Sequence, residues 1–163
     1  DFEAHLMISN PENHIGNFVT AGAKKIIIQI ESSEDIKSLV KNFKERYLNV
    51  SDSFLGVDFA LSLKMEMPIS AVDDFADEVN SFQIMSIDKI GRQGETFAKE
   101  ALQKISNLRA KYPNHKITVD GGINLENARQ IVEAGADDLV IGSFIMDDEE
   151  PKMIFKKLMS TVQ

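Results

Sequence analysis

The stretch Lys116 to Phe144, KITVDGGINLENARQIVEAGADDLVIGSF, decides the fold. It reads as a strand, Asp-Gly-Gly, an amphipathic helix, an Ala-Gly-Ala-Asp turn, a second strand and Gly-Ser. Asp120 ends a short apolar run, and Gly121 and Gly122 then open the helical segment. Gly142 and Ser143 follow the next run. In a (β/α) barrel the strand ends supply the chemistry, and backbone N–H groups beyond the last strands hold a phosphate. The pattern therefore predicts a barrel-type enzyme acting on a small phosphorylated sugar.

The same alternation extends outward to both ends of the chain. Further apolar runs are FEAHLMI (2–8), KKIIIQI (24–30), FLGVDFALS (54–62) and SFQIMSI (81–87), with DLVIGSF (138–144) as the last strand. Between them lie segments of 3.6-residue periodicity: ENHIGNFVTAG, EDIKSLVKNFKERYL and ETFAKEALQKISNLRAKY. The tail EEPKMIFKKLMSTV reads as a closing helix, with Pro151 suited to its first turn. Strands alternating with helices imply parallel βαβ units with right-handed crossovers. About six units are legible, against the eight of a closed barrel. A doubly wound sheet would place its polar residues at one crevice, usually beside GxGxxG. That motif is absent after the first strand, and polar residues gather at many strand ends. The expected fold is α/β, a TIM (β/α)₈-type barrel incomplete here, in a single domain over 1–163. The segments Leu63 to Pro68 (LKMEMP) and Asp88 to Glu95 (DKIGRQGE) follow strands and are expected to be functional loops.

A formal charge of -8 over 163 residues has the wrong sign for binding nucleic acid or an anionic membrane. There is no cysteine, hence no disulfide and no thiolate metal site, which fits a cytoplasmic location. No apolar run approaches the roughly 18 residues of a membrane span. The acidic opening Asp1-Phe2-Glu3 does not resemble a signal peptide, and a chain starting with Asp implies a native start further upstream.

The motifs HLM (5–7), NPE (10–12), AGA (21–23), IMSI (84–87), GRQGETF (91–97), VDGGIN (119–124), AGAD (134–137) and GS (142–143) occur in this order. The set resembles the ribulose-phosphate 3-epimerase family along nearly the whole chain. The HLM-x-x-NP opening and VDGGIN are its most specific parts. The resemblance implies a TIM barrel that interconverts ribulose 5-phosphate and xylulose 5-phosphate with a bound divalent metal. Zinc, iron, manganese and cobalt suit mixed imidazole and carboxylate ligands about equally. Matched onto the family, the chain starts at the third strand, so the first two βα units are expected to be missing. The family's H-x-D-x-M-D-G pattern is not found. Exposed strand edges would favour self-association, and a homo-oligomer is expected.

By the resemblance, Asp120 is a catalytic acid/base and a metal ligand, and His5 is a second ligand. Met7 and Met85 line the reacting centre. Gly121, Gly122, Gly142 and Ser143, with Gly91, Gln93 and Gly94, hold the substrate phosphate. Each has a plainer reading. Asp120 could cap the helix near Asn124, His5 could be a packed strand residue, and the methionines could be core filler. The glycines could only permit turns, and Ser86 is read as structural. Arg92 is absent from the family's NPGFGGQ-like loop and could reach a phosphate or stand in solvent. Gln29 stands where family members often carry histidine, and LKMEMP replaces an NPGTP turn. These departures leave two alternatives open. One is an epimerase for another ketose phosphate; the other is a phosphate-binding or self-assembling barrel fragment without catalysis.

Overall fold

A computed structural model of the protein describes residues 2–48, 56–92 and 94–163. Among the described residues six strands are formed: β1 (Phe2–Leu6), β2 (Ala23–Gln29), β3 (Asp58–Leu63), β4 (Ser81–Met85), β5 (Lys116–Asp120) and β6 (Asp138–Val140). Their order in the sheet follows the sequence, β1-β2-β3-β4-β5-β6. The β1/β2, β2/β3 and β5/β6 pairs are parallel. An order without reversal has no topological switch point, which separates it from a doubly wound sheet and matches barrel connectivity. The helices are α1 (Ile15–Thr20), α2 (Ile36–Phe43), α3 (Ala101–Lys111), α4 (Ala128–Glu133), α5 (Ser143–Met146) and α6 (Pro151–Val162). Two short 3-10 segments, Pro11–Asn13 and Ile69–Phe75, and a π-helical turn, Lys44–Leu48, lie in the connections. None of the described helices is long and apolar enough to cross a membrane.

The chain clusters into two compact units: Asp1–Leu63 with Ser70–Phe82, and Lys64–Ile69 with Gln83–Gln163. In the first, β2 is buried on both faces, as a parallel strand between layers must be. Phe43 of α2 stacks on Phe59 of β3 with ring centroids 4.2 Å apart. The Asp35 carboxylate accepts the Ser38 N–H at 3.0 Å and so satisfies an orphan donor at the start of α2. Hydrogen bonding from the Ser38 side chain first, and from this N–H second, lowers the Asp35 pKa.

In the second unit, α3 buries Ala101, Ile105 and Leu108, α4 buries Ala128 and Ile131, and α6 buries Ile154 and Leu158. Two cations of α3 serve as backbone clamps. The Lys104 ammonium donates to the carbonyls of Lys64, Met65 and Met67, beyond β3. Burial lowers its pKa, with Glu66 acting in the opposite sense. The Arg109 guanidinium donates to the carbonyls of Gly135, Pro113 and His115 and to Asp137. Asp137 in turn accepts the Ile117 N–H at 2.7 Å. The guanidinium thus ties the entry of β5 to the turn before β6.

Three expectations change. The strand expected over 138–144 ends at Val140, and Ser143 and Phe144 are helical. Gly142 interrupts the strand, and its carbonyl accepts the N–H groups of Ile145 and Met146. The helical segment expected from Glu95 starts only at Ala101. Tertiary bonding overrides its helical pattern, because the Ala98 N–H is taken by the Ser86 carbonyl at 2.8 Å. The strand expected over 54–62 is formed as Asp58–Leu63, and positions 54 and 55 lie outside the described residues.

Candidate active site

Asp120 is the last residue of β5, half-buried, with Thr118 below it on the same face. Its Oδ2 accepts the Gln83 side-chain N–H at 3.3 Å. Gln83 lies in the middle of β4, 1% exposed, and its amide nitrogen also sits 3.4 Å from the Met85 sulfur. One amide thus joins the expected acid to the expected lining methionine. Met85 is buried, with its sulfur on the same face as Gln83.

The backbone beyond Asp120 is fixed to the end of β4. The Ser86 N–H donates to the Asp120 carbonyl at 2.9 Å, and the Ser86 hydroxyl donates to the Gly121 carbonyl at 2.7 Å. Gly121 and Gly122 take φ values of +117° and +66°, a region that favours glycine. Both also lie under other chain segments. A Cβ on Gly121 would stand 2.7 Å from the Ile87 side chain, and one on Gly122 would stand 2.3 Å from the Phe97 backbone nitrogen. The glycines are therefore required by close packing as well as by the turn.

Three side-chain bonds close the turn that leads to α4. Asn124 accepts the Glu126 N–H, Asn127 accepts the Asn124 N–H, and the Asn127 amide donates to the Gly122 carbonyl. These bonds shape the turn only, and the α4 N-cap residue Asn127 makes no side-chain bond to the first turn of the helix. A groove of about 530 Å³ flanks Gly122, lined among others by Glu95, Phe97, Lys99 and Glu126. Its two carboxylates outnumber its one lysine, a charge balance that does not favour an anion.

The register of β5 on β6 sets Asp120 opposite Val140. Gly121-Gly122 and Gly142-Ser143 consequently leave the same end of neighbouring strands. A Cβ on Gly142 would meet nothing within 4 Å. Gly91 and Gly94 both have positive φ in the loop after β4, where Arg92 is exposed. Gln93 lies outside the described residues.

His5 and Met7 belong to the first unit. The His5 Nε2 is 3.1 Å from the Gln29 side-chain nitrogen, so Gln29 on β2 fixes the half-buried ring of β1. Met7 follows β1 and is 43% exposed. Among the described residues no group of three or more His, Cys, Asp or Glu side chains is placed to hold a metal ion. His5 and Asp120 belong to different units, and each is of a donor type that divalent ions take.

Sequence reading missed two residues. Gln83 was detectable as an amide within the apolar run SFQIMSI, two positions before Met85. Lys104 was detectable as a cation on the apolar face of α3, between Ala101 and Ile105.

A parallel sheet in sequential order, with its acid and glycine turns at the strand ends, defines a protein of the (β/α)-barrel class. Residues 1–146 match the model of the ribulose-phosphate 3 epimerase family, and the chain belongs to that family. Ribulose-phosphate 3-epimerase of Schizosaccharomyces pombe is 27% identical over 161 residues, covering 99% of this chain and 66% of that protein. The enzyme of the same name from Aquifex aeolicus is 30% identical over 162 residues, covering 97% of this chain and 68% of that protein. Against three yeast and fungal relatives the chain spans 62–66% of their length. A solved 3-hexulose-6-phosphate synthase superposes with a TM-score of 0.72 at 15% identity, over 96% of this chain and 70% of that one. At that identity the likeness is one of fold.

Proposed function

We propose that this chain carries the sugar-phosphate epimerase chemistry of its family, acting at C3 of ribulose 5-phosphate and xylulose 5-phosphate. The observation that carries the proposal is Asp120 at the C-terminal end of β5, with its carboxylate held by Gln83. The C3–H bond lies next to the C2 ketone, so its electrons pass into the carbonyl as the proton leaves. In this reading the Asp120 carboxylate takes that proton and an enediolate forms. Return of a proton to the opposite face by a second acid inverts C3.

Gln83 restricts the Asp120 carboxylate to one orientation, which lowers the cost of reaching the transfer geometry. Gly121, Gly122, Gly142 and Ser143 are proposed to hold the phosphate from two adjacent strand ends, and Gly91, Gln93 and Gly94 are proposed as further phosphate-binding residues. Met7 and Met85 would line the reacting centre. His5 and Asp120 are each proposed as a ligand of a divalent ion, and no proton transfer above depends on it. A cytoplasmic location accompanies this reading.

A homo-oligomer is proposed on a separate observation. On α6, Phe155 and Met159 are 53% and 45% exposed, on a different face from the buried Ile154 and Leu158. Their i, i+4 spacing makes one apolar stripe. Self-association would cover it, with or without catalysis.

The test supplies ribulose 5-phosphate with zinc, iron, manganese or cobalt in turn and follows xylulose 5-phosphate by a coupled assay. Conversion above the metal-only blank is expected. Conversion at the blank rate with every ion would sink the epimerase reading.

A further inference from the structure

We propose that Ser86 is a positioning residue for phosphate binding, aiming the N–H groups of Gly121 and Gly122 at the substrate phosphate. The proposal rests on the phosphate reading of those glycines given above and adds the residue that orients them.

Ser86 is the first residue beyond β4 and is 0% exposed. Its three polar groups all serve the Asp-Gly-Gly turn or the segment packed over it. The N–H donates to the Asp120 carbonyl at 2.9 Å, and the carbonyl accepts the Ala98 N–H at 2.8 Å. The hydroxyl lies 2.7 Å from the Gly121 carbonyl oxygen and 3.1 Å from that of Asp120. Its one proton serves the shorter contact, because the Asp120 oxygen already has the Ser86 N–H. Two consecutive carbonyls are thus held on the β4 side by one residue, all within one compact unit.

A planar trans peptide sets its N–H opposite its C=O. The Asp120 carbonyl shares a peptide with the Gly121 N–H, and the Gly121 carbonyl shares one with the Gly122 N–H. Drawing both carbonyls toward Ser86 therefore turns both N–H groups away from β4. The other neighbour of β5 is β6, beyond which Gly142 and Ser143 stand. Among the described residues neither N–H has a protein acceptor. The turn needs such a hold, because two successive glycines have many other backbone arrangements open to them. Without the Ser86 hydroxyl the Gly121–Gly122 peptide is free to rotate, and a ligand must then bear the cost of ordering it.

Calorimetric titration with inorganic phosphate and with ribulose 5-phosphate tests this on wild type, Ser86→Ala, Ser86→Thr and Ser106→Ala. Ser106 is the matched control, since its hydroxyl also donates to a backbone carbonyl of this unit, that of Ala134. Ser86→Ala is expected to weaken both ligands by the same factor, roughly three- to tenfold for one lost hydrogen bond. Ser86→Thr keeps the hydroxyl and should restore binding, and Ser106→Ala should bind as wild type does. Deuterium exchange at C3 under saturating ribulose 5-phosphate should stay within about twofold in Ser86→Ala, because the loss is one of binding. Should Ser86→Ala fail to fold in thermal melts, Ser86→Cys, which fills the same space with a weaker donor, is read in its place.

Wild-type affinity for inorganic phosphate in a folded Ser86→Ala chain would overturn the assignment and leave the glycine cradle standing. Equal weakening in Ser106→Ala would overturn it too, since any loosening of the unit would then suffice. Binding of neither ligand by the wild type would overturn the cradle reading and the role of Ser86 together.

Discussion

Replacing Gly122 by alanine separates two reasons for glycine in the Asp-Gly-Gly turn. A glycine kept only so that its N–H can approach a phosphate should accept a methyl group with little loss of stability. The structure gives a second reason. At φ +66° an alanine costs about 1 kcal/mol relative to glycine. The added Cβ would also stand 2.3 Å from the Phe97 nitrogen, 2.7 Å from its Cα and 2.9 Å from the Thr96 carbonyl carbon. These are backbone atoms, so relief requires displacing segment 96–97 or the turn itself. Overpacking of this kind costs roughly 1–3 kcal/mol. The total is about 3 kcal/mol, or a fall in melting temperature of roughly 6–12 °C for a domain of this size. Gly142→Ala is the matched control, since its Cβ meets nothing within 4 Å. It should change stability by less than about 0.5 kcal/mol. Urea unfolding of the three proteins measures both effects. Equal stability of Gly122→Ala and Gly142→Ala would refute the packing account of the first glycine.

Arg109→Ala removes five donors' worth of clamping between the β5 entry and the Gly135 turn; because several of the released carbonyls can return to water, a loss of about 2–4 kcal/mol in urea unfolding is expected. Lys104→Met keeps the apolar stem and abandons three carbonyls of the 64–67 segment, so amide exchange should accelerate there before it does in β5. The Lys104 pKa is lowered in the folded state, so the unfolded state binds more protons between the folded value and 10.5. Wild-type stability relative to Lys104→Met should therefore rise with pH in that window, as measured by chemical unfolding at alkaline pH. Asp35 has the same sign at the acid end: its pKa is lowered from 3.8, so its cap contributes fully above that pH and is lost as pH falls through the folded value. Asp35→Ala should unfold more readily at neutral pH and lose its difference from wild type in acid.

Much of the strand pattern was legible because β2 and β5 carry unbroken apolar runs bounded by polar turns, KKIIIQI and KITVD. The closing helix was legible from Pro151 and the spacing of Ile154 and Leu158. The segment 95–98 was not, because its helical periodicity competes with the bond from Ala98 to Ser86, which joins positions far apart in sequence. The extent of β6 was misjudged because Val140-Ile141 continues an apolar run that Gly142 then breaks. In the site, Asp120 stood out as a carboxylate at a strand end followed by two glycines. The role of Gln83 depends on β4 lying beside β5, and no local signal carries that distance. The same holds for Lys104, whose acceptors are backbone carbonyls, and for Arg109, which donates to backbone carbonyls and to the sequence-distant Asp137.

Solvent-deuterium incorporation at C3 of ribulose 5-phosphate, with divalent ion supplied, tests the central claim about Asp120. The wild-type chain is expected to incorporate deuterium at C3, and Asp120→Asn, which keeps the size and the Gln83 contact partner but cannot take the proton, is expected to lose it. Equal incorporation by the two proteins would contradict the assignment of Asp120 as the base.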